Sequence, residues 1–407
     1  MGFPRVVRAL ILSLLFSTHT ALSADDTTNA TAPEASDETA APATVTVPEK
    51  KTDEGAVPEA VTFPLPAAEP IAAEPVPVVP PKPPRIALLL PLKSATFGRA
   101  AEAVKDGFIA ASRLAGPDIA LPIEIYDSEE NTENLLSIYN RILGDNTKIV
   151  VGPMTRSEVS LIARSGMVTT PTLALNVPDA DAPLPKLFYS LSLSQEGEAR
   201  QLANIAFGAG LRRAAIVANQ AALSKRMQSA FAAEWLMLGG TTTLEYVYNP
   251  NPKSLAEFRT ALKARQVDVV FIATDAAVAR KIRPHIKASI PTYATSQVLR
   301  SKTDMALNQD LKGLKFVDMP WLIKPDHTAV MVYPQPKKSL SADLQRFYAL
   351  GIDAFRLAQM LVRTELPPTE PIDGVTGRIT LTGGHLFARD LLQATFDQTG
   401  AVKPQEP

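Results

Sequence analysis

Short uninterrupted apolar runs alternate with segments in which apolar positions return every three or four residues, and the alternation persists from residue 86 for about two hundred residues. Ile86, Ala87, Leu88, Leu89 and Leu90 form one such run, ended by Pro91, as in a strand covered on both faces. Phe97, Ala101, Val104, Phe108 and Ala111 then recur at helical spacing until Gly116-Pro117 closes the series, which predicts an amphipathic helix. Strands are predicted next at 121–126, 148–151, 170–175 and 188–193, with helices at 132–143 and 155–164. A second series places helices at 195–209, 223–238, 255–265 and 276–283 between strands at 214–218, 242–248, 267–273 and 291–295. Leu223, Met227, Phe231, Trp235 and Leu238 mark the buried side of the longest of these helices, and Gly239-Gly240 ends it.

Strands alternating with helices build parallel sheets covered on both faces, so two successive series predict an α/β protein of two doubly wound lobes joined by a hinge. The pattern loosens after residue 300 until 344–362, where Phe347, Leu350, Ala354, Leu357 and Leu361 define another amphipathic helix. Beyond Pro367, Pro368 and Pro371 an edge-like strand at 374–381, a Gly383-Gly384 turn and a strand at 393–396 read as a hairpin. The expected folded domain is 85–400, with lobe 1 at about 85–192 plus 292–372, lobe 2 at about 193–291 plus 373–400, and a disordered tail at 401–407.

The first residues belong to neither lobe. Arg5 and Arg8 precede an apolar segment at 9–16 and then Ala21-Leu22-Ser23-Ala24, the layout of a secretory signal over 1–24. It is either cleaved near residue 23 or 24 or kept as a weak inner-membrane anchor. Residues 25–84 hold 13 prolines and 11 acidic residues against 3 lysines, too little apolar surface to offset ordering, so a disordered tether or a plain spacer is expected. From residue 85 onward 36 basic and 31 acidic residues remain, scattered, which argues against nucleic acid as a partner. No later segment approaches the length of a membrane-spanning helix, so an exported periplasmic protein with no transmembrane segment is expected. With no cysteine in the chain, disulfides, thiolate metal sites and a lipid anchor on cysteine are not expected.

Open parallel sheets bind ligands beyond the carboxyl ends of their strands. That rule selects Ser94, Asp127, Thr155, Arg156, Asn176, Asn219, Thr274, Asp275 and Ser296 as cleft candidates for a small polar ligand. Asp127, Glu129 and Glu130 are either paired carboxylates for acid–base work or a cap for the helix beginning near Thr132. His285, His327 and His385 lack metal-ligand spacing, and no phosphate-binding glycine loop or nucleophile elbow is present, so neither cofactor, metal nor catalytic residue is assigned. Trp321, in Met319-Pro320-Trp321-Leu322, either packs between the lobes or is exposed as a partner contact.

The order of elements and the closing GVTGRITL at 374–381 resemble the type 1 periplasmic-binding-protein fold. The strings IALLLPL (86–92), AVKDGF (103–108), VVGPM (150–154), LALN (173–176), YATSQV (293–298) and DMPWLI (318–323), in this order, look like the LppC-type penicillin-binding-protein activators. That resemblance implies a non-enzymatic envelope protein that docks on a peptidoglycan synthase, a class A penicillin-binding protein, and stimulates cross-linking. The related Leu/Ile/Val receptors of ABC transporters imply the alternative, a solute-binding receptor. Such receptors hold an amino-acid carboxylate with small hydroxyl residues at the helix amino terminus after the third strand. Here Thr155 is kept and Arg156 replaces an expected serine, while no aromatic residue follows the strands ending near Asn219 and Thr274. On this comparison the amino-acid groove is expected to be lost. A third possibility is a hydrolase on the same scaffold, with Asp127 as its acid–base residue.

Overall fold

The structure, a computed structural model, describes residues 82–116, 120–128, 132–179, 184–251, 253–301, 305–364, 368–383 and 385–405. The expected signal and nearly all of the expected tether lie outside the described residues. Lys82 already joins the folded body, its ammonium 2.7 Å from Asp145 and its carbonyl accepting from the Asn146 amide at 2.8 Å.

The first series runs β1 (Arg85–Leu90), α1 (Gly98–Ala115), β2 (Ile123–Asp127), α2 (Thr132–Leu143), β3 (Thr147–Val151), α3 (Arg156–Arg164), β4 (Thr172–Ala174) and β5 (Phe188–Leu191). The second runs α4 (Gln195–Gly208), β6 (Arg213–Ala218), α5 (Ala222–Met237), β7 (Thr241–Val247), α6 (Ser254–Lys263), β8 (Val269–Ala273), α7 (Ala276–Ile282) and β9 (Thr292–Ala294). After a short α8 (Met305–Asn308) come β10 (Leu314–Asp318), the single-turn helices α9 (Pro320–Ile323) and α10 (Thr328–Met331), and α11 (Ala342–Thr364). The chain closes with β11 (Ile372–Gly374), β12 (Gly377–Thr382), β13 (Leu386–Asp390), β14 (Leu392–Phe396) and β15 (Val402–Pro404).

The strands make an eight-stranded sheet ordered β11-β12-β13-β5-β4-β3-β1-β2 and a seven-stranded sheet ordered β15-β14-β10-β9-β8-β6-β7. In both, the parallel core reverses direction beside its first strand, at β1/β3 and at β6/β8. β1 and β8 are buried along nearly their whole length, as their unbroken apolar runs require. The chain passes between the sheets three times, at 192–194, between Asp318 and Ala342, and at Leu391.

The lobe limits differ from those read in the sequence. β9 and β10, placed at 292–318 in lobe 1 by the sequence, lie in the second sheet, whereas β11, β12 and β13 complete the first. The hairpin partner of β12 is β13, with Thr382 opposite Leu386, and β14 at 392–396 instead pairs antiparallel with β10. Arg389 and Asp390 make β13 polar enough to hide its strand character from a hydrophobicity pattern. Nor is the tail disordered throughout: Val402–Pro404 adds antiparallel to β14 across a turn in which the Asp397 carboxylate accepts from Thr399 N, Thr399 Oγ1 and Ala401 N.

Candidate functional site: the groove between the sheets

Both points at which strand order reverses direct their carboxyl-end loops into the space between the lobes, the location where such sheets hold ligands. On the first lobe this brings together the β1–α1 loop and the start of α3. Gly152, at φ 108°, turns the chain there with its α-carbon against the Leu89 carbonyl, a fit that leaves no room for a side chain. On the second lobe the Asn219, Thr274 and Asp275 loops follow β6 and β8.

The amino terminus of α3 is already supplied with a carboxylate. Thr155 caps it in a reciprocal box with Glu158: the Glu158 N–H donates to Thr155 Oγ1 at 3.3 Å, while Glu158 Oε2 accepts from Thr155 N at 3.0 Å and from Thr155 Oγ1 at 2.8 Å. Glu158 is 5% exposed and its other oxygen accepts from the Ser128 hydroxyl. The positive helix end that favours an anion thus already has a carboxylate of the chain beside it, with the Thr155 and Glu158 N–H groups engaged inside the box.

Arg156 points across the groove. Its guanidinium lies 3.0 Å from Glu196 at the start of α4, and Arg226 of α5 approaches the same Glu196 oxygen at 2.7 Å. Burial raises the Glu196 pKa, but the helix N–H it accepts from, Arg226 and Arg156 more than offset this, leaving it below the ordinary value. The space opposite the α3 terminus therefore holds an Arg–Glu–Arg tie between lobes.

The remaining candidates serve local structure. Ser94 accepts from Phe97 N at 2.9 Å. Asp127 accepts from Leu92 N at 3.0 Å and pairs with the Lys93 ammonium at 3.2 Å, contacts that tie the end of β2 to the β1–α1 loop. Glu129 and Glu130 lie outside the described residues. Asn176 donates to Met154 O and accepts from Val177 N. Asn219 accepts from Ala221 N, Thr274 is 1% exposed, and Asp275 caps α7 through Val278 N. Trp321 is no surface contact: it is 2% exposed, its ring lies 5.5 Å from that of Tyr348, and its backbone N–H donates to Val375 O.

Ser296 belongs to a buried polar cluster at the crossings that the sequence reading missed. Glu198 accepts from Ser296 N at 2.8 Å, from Ser296 Oγ at 3.1 Å and from Gln195 Nε2 at 3.1 Å. Arg346 of α11, 4% exposed, donates to both Asp318 oxygens at 3.2 and 2.7 Å and to the carbonyls of Ser296 and Leu299. Arg389 of β13 donates to Ser192 O and Thr376 O, and Asp353 accepts from Val375 N, Thr376 N and Thr376 Oγ1. A usable signal existed: Arg346 and Asp353 interrupt the apolar face of the helix read at 344–362. Long polar side chains at such positions demand buried partners.

Burial pushes the Glu198 pKa from 4.5 up to about 7; Arg389 opposes this and Asp318 reinforces it. Between those values the unfolded chain releases a proton that the folded protein retains. Stability attributable to Glu198 is therefore full below pH 4.5, declines as pH rises, and is gone above about 7. Thermal melts across this window are expected to show the decline, and Glu198→Gln to flatten it; an unchanged slope in the variant would reject the assignment.

A cavity of about 450 Å³ opens beside this cluster between α4 and the β12–β13 hairpin, lined by Glu198, Arg200, Gln201 and Arg389 among others. Its buried polar groups are already engaged, Gln201 for example with both the N–H and the carbonyl of Leu391. Among the described residues no group of three or more His, Asp or Glu side chains is placed to hold a metal, and no helix is long and apolar enough to cross a membrane.

A family model described as "LppC putative lipoprotein" matches residues 79–262 and 256–399. A penicillin-binding protein activator LpoA of Vibrio antiquarius is 28% identical over 347 residues, covering 76% of this chain and 57% of that protein. Its counterpart in Photobacterium profundum is 24% identical over 355 residues, covering 79% and 57%. The chain thus spans less than two thirds of the length of these curated relatives. Among solved structures, a Chromobacterium violaceum protein described as a "putative branched-chain amino acid ABC transporter" superposes with a TM-score of 0.66 at 34% identity, over 76% of this chain and 99% of that one. The C-domain of Haemophilus influenzae LpoA, described as a regulator of PBP1A, gives 0.66 at 21% identity, over 79% and 100%. These likenesses agree with two mostly parallel sheets of the type 1 periplasmic-binding-protein class.

Proposed function

The chain belongs to the LppC family, and on that premise we propose that it is a non-enzymatic periplasmic regulator that binds a class A penicillin-binding protein and raises its cross-linking activity. The relatives named as activators support the reading at family level. The observation that carries it is the state of the groove: Glu158 occupies the anion-binding end of α3, and the Arg156–Glu196–Arg226 tie fills the space opposite. A transport receptor needs that space empty and its lobes free to close on a solute. A scaffold that works through its outer surface needs neither.

The test is retention of the protein by an immobilised, purified class A synthase, with cross-linking measured in the same preparation. Retention and increased cross-linking are expected; absence of both would sink the proposal. The Chromobacterium likeness favours a second reading, a solute receptor. Thermal shift separates the two. A receptor with leucine at a hundred times its dissociation constant gains about 2.7 kcal/mol, whereas no shift is expected here with leucine or its relatives.

A further inference from the structure

We propose that the pole of the second lobe remote from the groove carries a docking pocket for an acidic, aliphatic peptide segment of the protein partner. The carboxyl ends of β6 and β8 face the groove, so their amino ends, with the carboxyl end of α6 and the segment before β9, form the opposite pole. A cavity of about 380 Å³ opens there, with Arg213, Arg259, Lys263, Arg265, His285 and Lys287 in its lining and no acidic side chain among the lining residues. Arg213 is held at the rim by Asp268 at 2.6 Å. Among the described residues Arg259, Lys263 and Lys287 have no carboxylate partner, and all three are exposed. The fold thus gathers at this pole basic side chains that are spread over residues 213–287 of the sequence.

The lining also identifies the class of ligand. Leu262, Val267 and Ile290 supply aliphatic surface between the cationic heads, a feature a bare anion cannot use. No Phe, Tyr or Trp lines the pocket, so it lacks the stacking platform that single-stranded nucleic acid exploits. Carboxylates interspersed with aliphatic side chains satisfy both parts of the lining, and the positive field would speed their encounter at low salt. The inference rests on the reading that the protein works by protein contact, and it specifies one surface used.

The test is fluorescence anisotropy with a short dye-labelled peptide that alternates glutamate pairs with leucine. The controls are the same peptide with serine for leucine and a thymidine oligonucleotide of equal charge. The wild-type chain is expected to bind the leucine peptide, more weakly as salt rises. Combined Arg259→Glu, Lys263→Glu and Lys287→Glu is expected to weaken it roughly tenfold or more without lowering the melting temperature. Should that variant melt early, Lys263→Gln with Lys287→Gln is expected to give a smaller loss in a fully folded protein. No binding, equal affinity in both variants, or an oligonucleotide held as tightly as the peptide would overturn the proposal. Synthase retention by the charge-reversed protein is read separately. Retention undiminished overturns this pocket as a synthase contact and leaves the regulator intact, whereas peptide bound by a wild-type chain that fails to retain synthase sinks the regulator alone.

Discussion

Replacing Arg346 by alanine is expected to lower the free energy of unfolding by about 3–5 kcal/mol, the cost of breaking a buried ion pair by removing one partner. Arg346 reaches from α11, which packs under the first sheet, to Asp318 at the end of β10 in the second, and both are almost fully buried. Removing the guanidinium leaves the buried Asp318 carboxylate with the Met319 N–H but no cation, and takes a donor from the carbonyls of Ser296 and Leu299. Arg346→Met with Asp318→Leu removes the charge and its partner together and is expected to recover most of the loss. Urea unfolding of the two single variants and the double one measures this. A loss below about 1 kcal/mol in Arg346→Ala, the worth of an exposed pair, would show that the lobes are not joined through this contact.

A single methyl group at Gly107 is expected to destabilise the protein by about 3 kcal/mol, the upper end for overpacking, because the obstacle is backbone that no rotamer change can move. α1 and α11 cross with their backbones nearly touching: a β-carbon at Gly107 would overlap the Tyr348 carbonyl oxygen, and one at Gly351 the Val104 carbonyl oxygen. Phe108 and Phe355 pack edge to face one position along, with centroids 5.3 Å apart, so the helices cannot separate without opening the core of the first lobe. Gly107→Ala and Gly351→Ala should each lower the urea midpoint with little change in slope. Gly208→Ala, where nothing lies near the added carbon, is the control expected to leave the midpoint unchanged or raise it. Loss of stability in the control equal to that at Gly107 would reject close helix contact as the cause.

The amino-acid pattern by itself determined the elements whose environment is uniform along their length. β1 and β8 are continuous apolar runs because both faces of a central parallel strand are covered, and α1 and α11 declare themselves by one apolar face. The two-lobe α/β class followed from their order. Comparison with the Leu/Ile/Val receptors put Arg156 about where a serine is expected, but its ionic partner Glu196 is 40 residues away in the chain. Pairing of that kind is decided by where the second lobe puts α4.

Tertiary structure alone decided which sheet receives each closing strand and what the buried charges do. β13 and β14 are separated by Leu391 only and go to different sheets, a choice made by register with β12 and β10 rather than by composition. Ser94, Asp127, Asn176 and Asp275 were found at strand ends because polar residues gather there, yet each satisfies a nearby backbone group. Glu198, Asp318, Arg346 and Arg389 were passed over because they lie far apart in sequence and become costly, and therefore paired, only once three chain crossings exclude water around them.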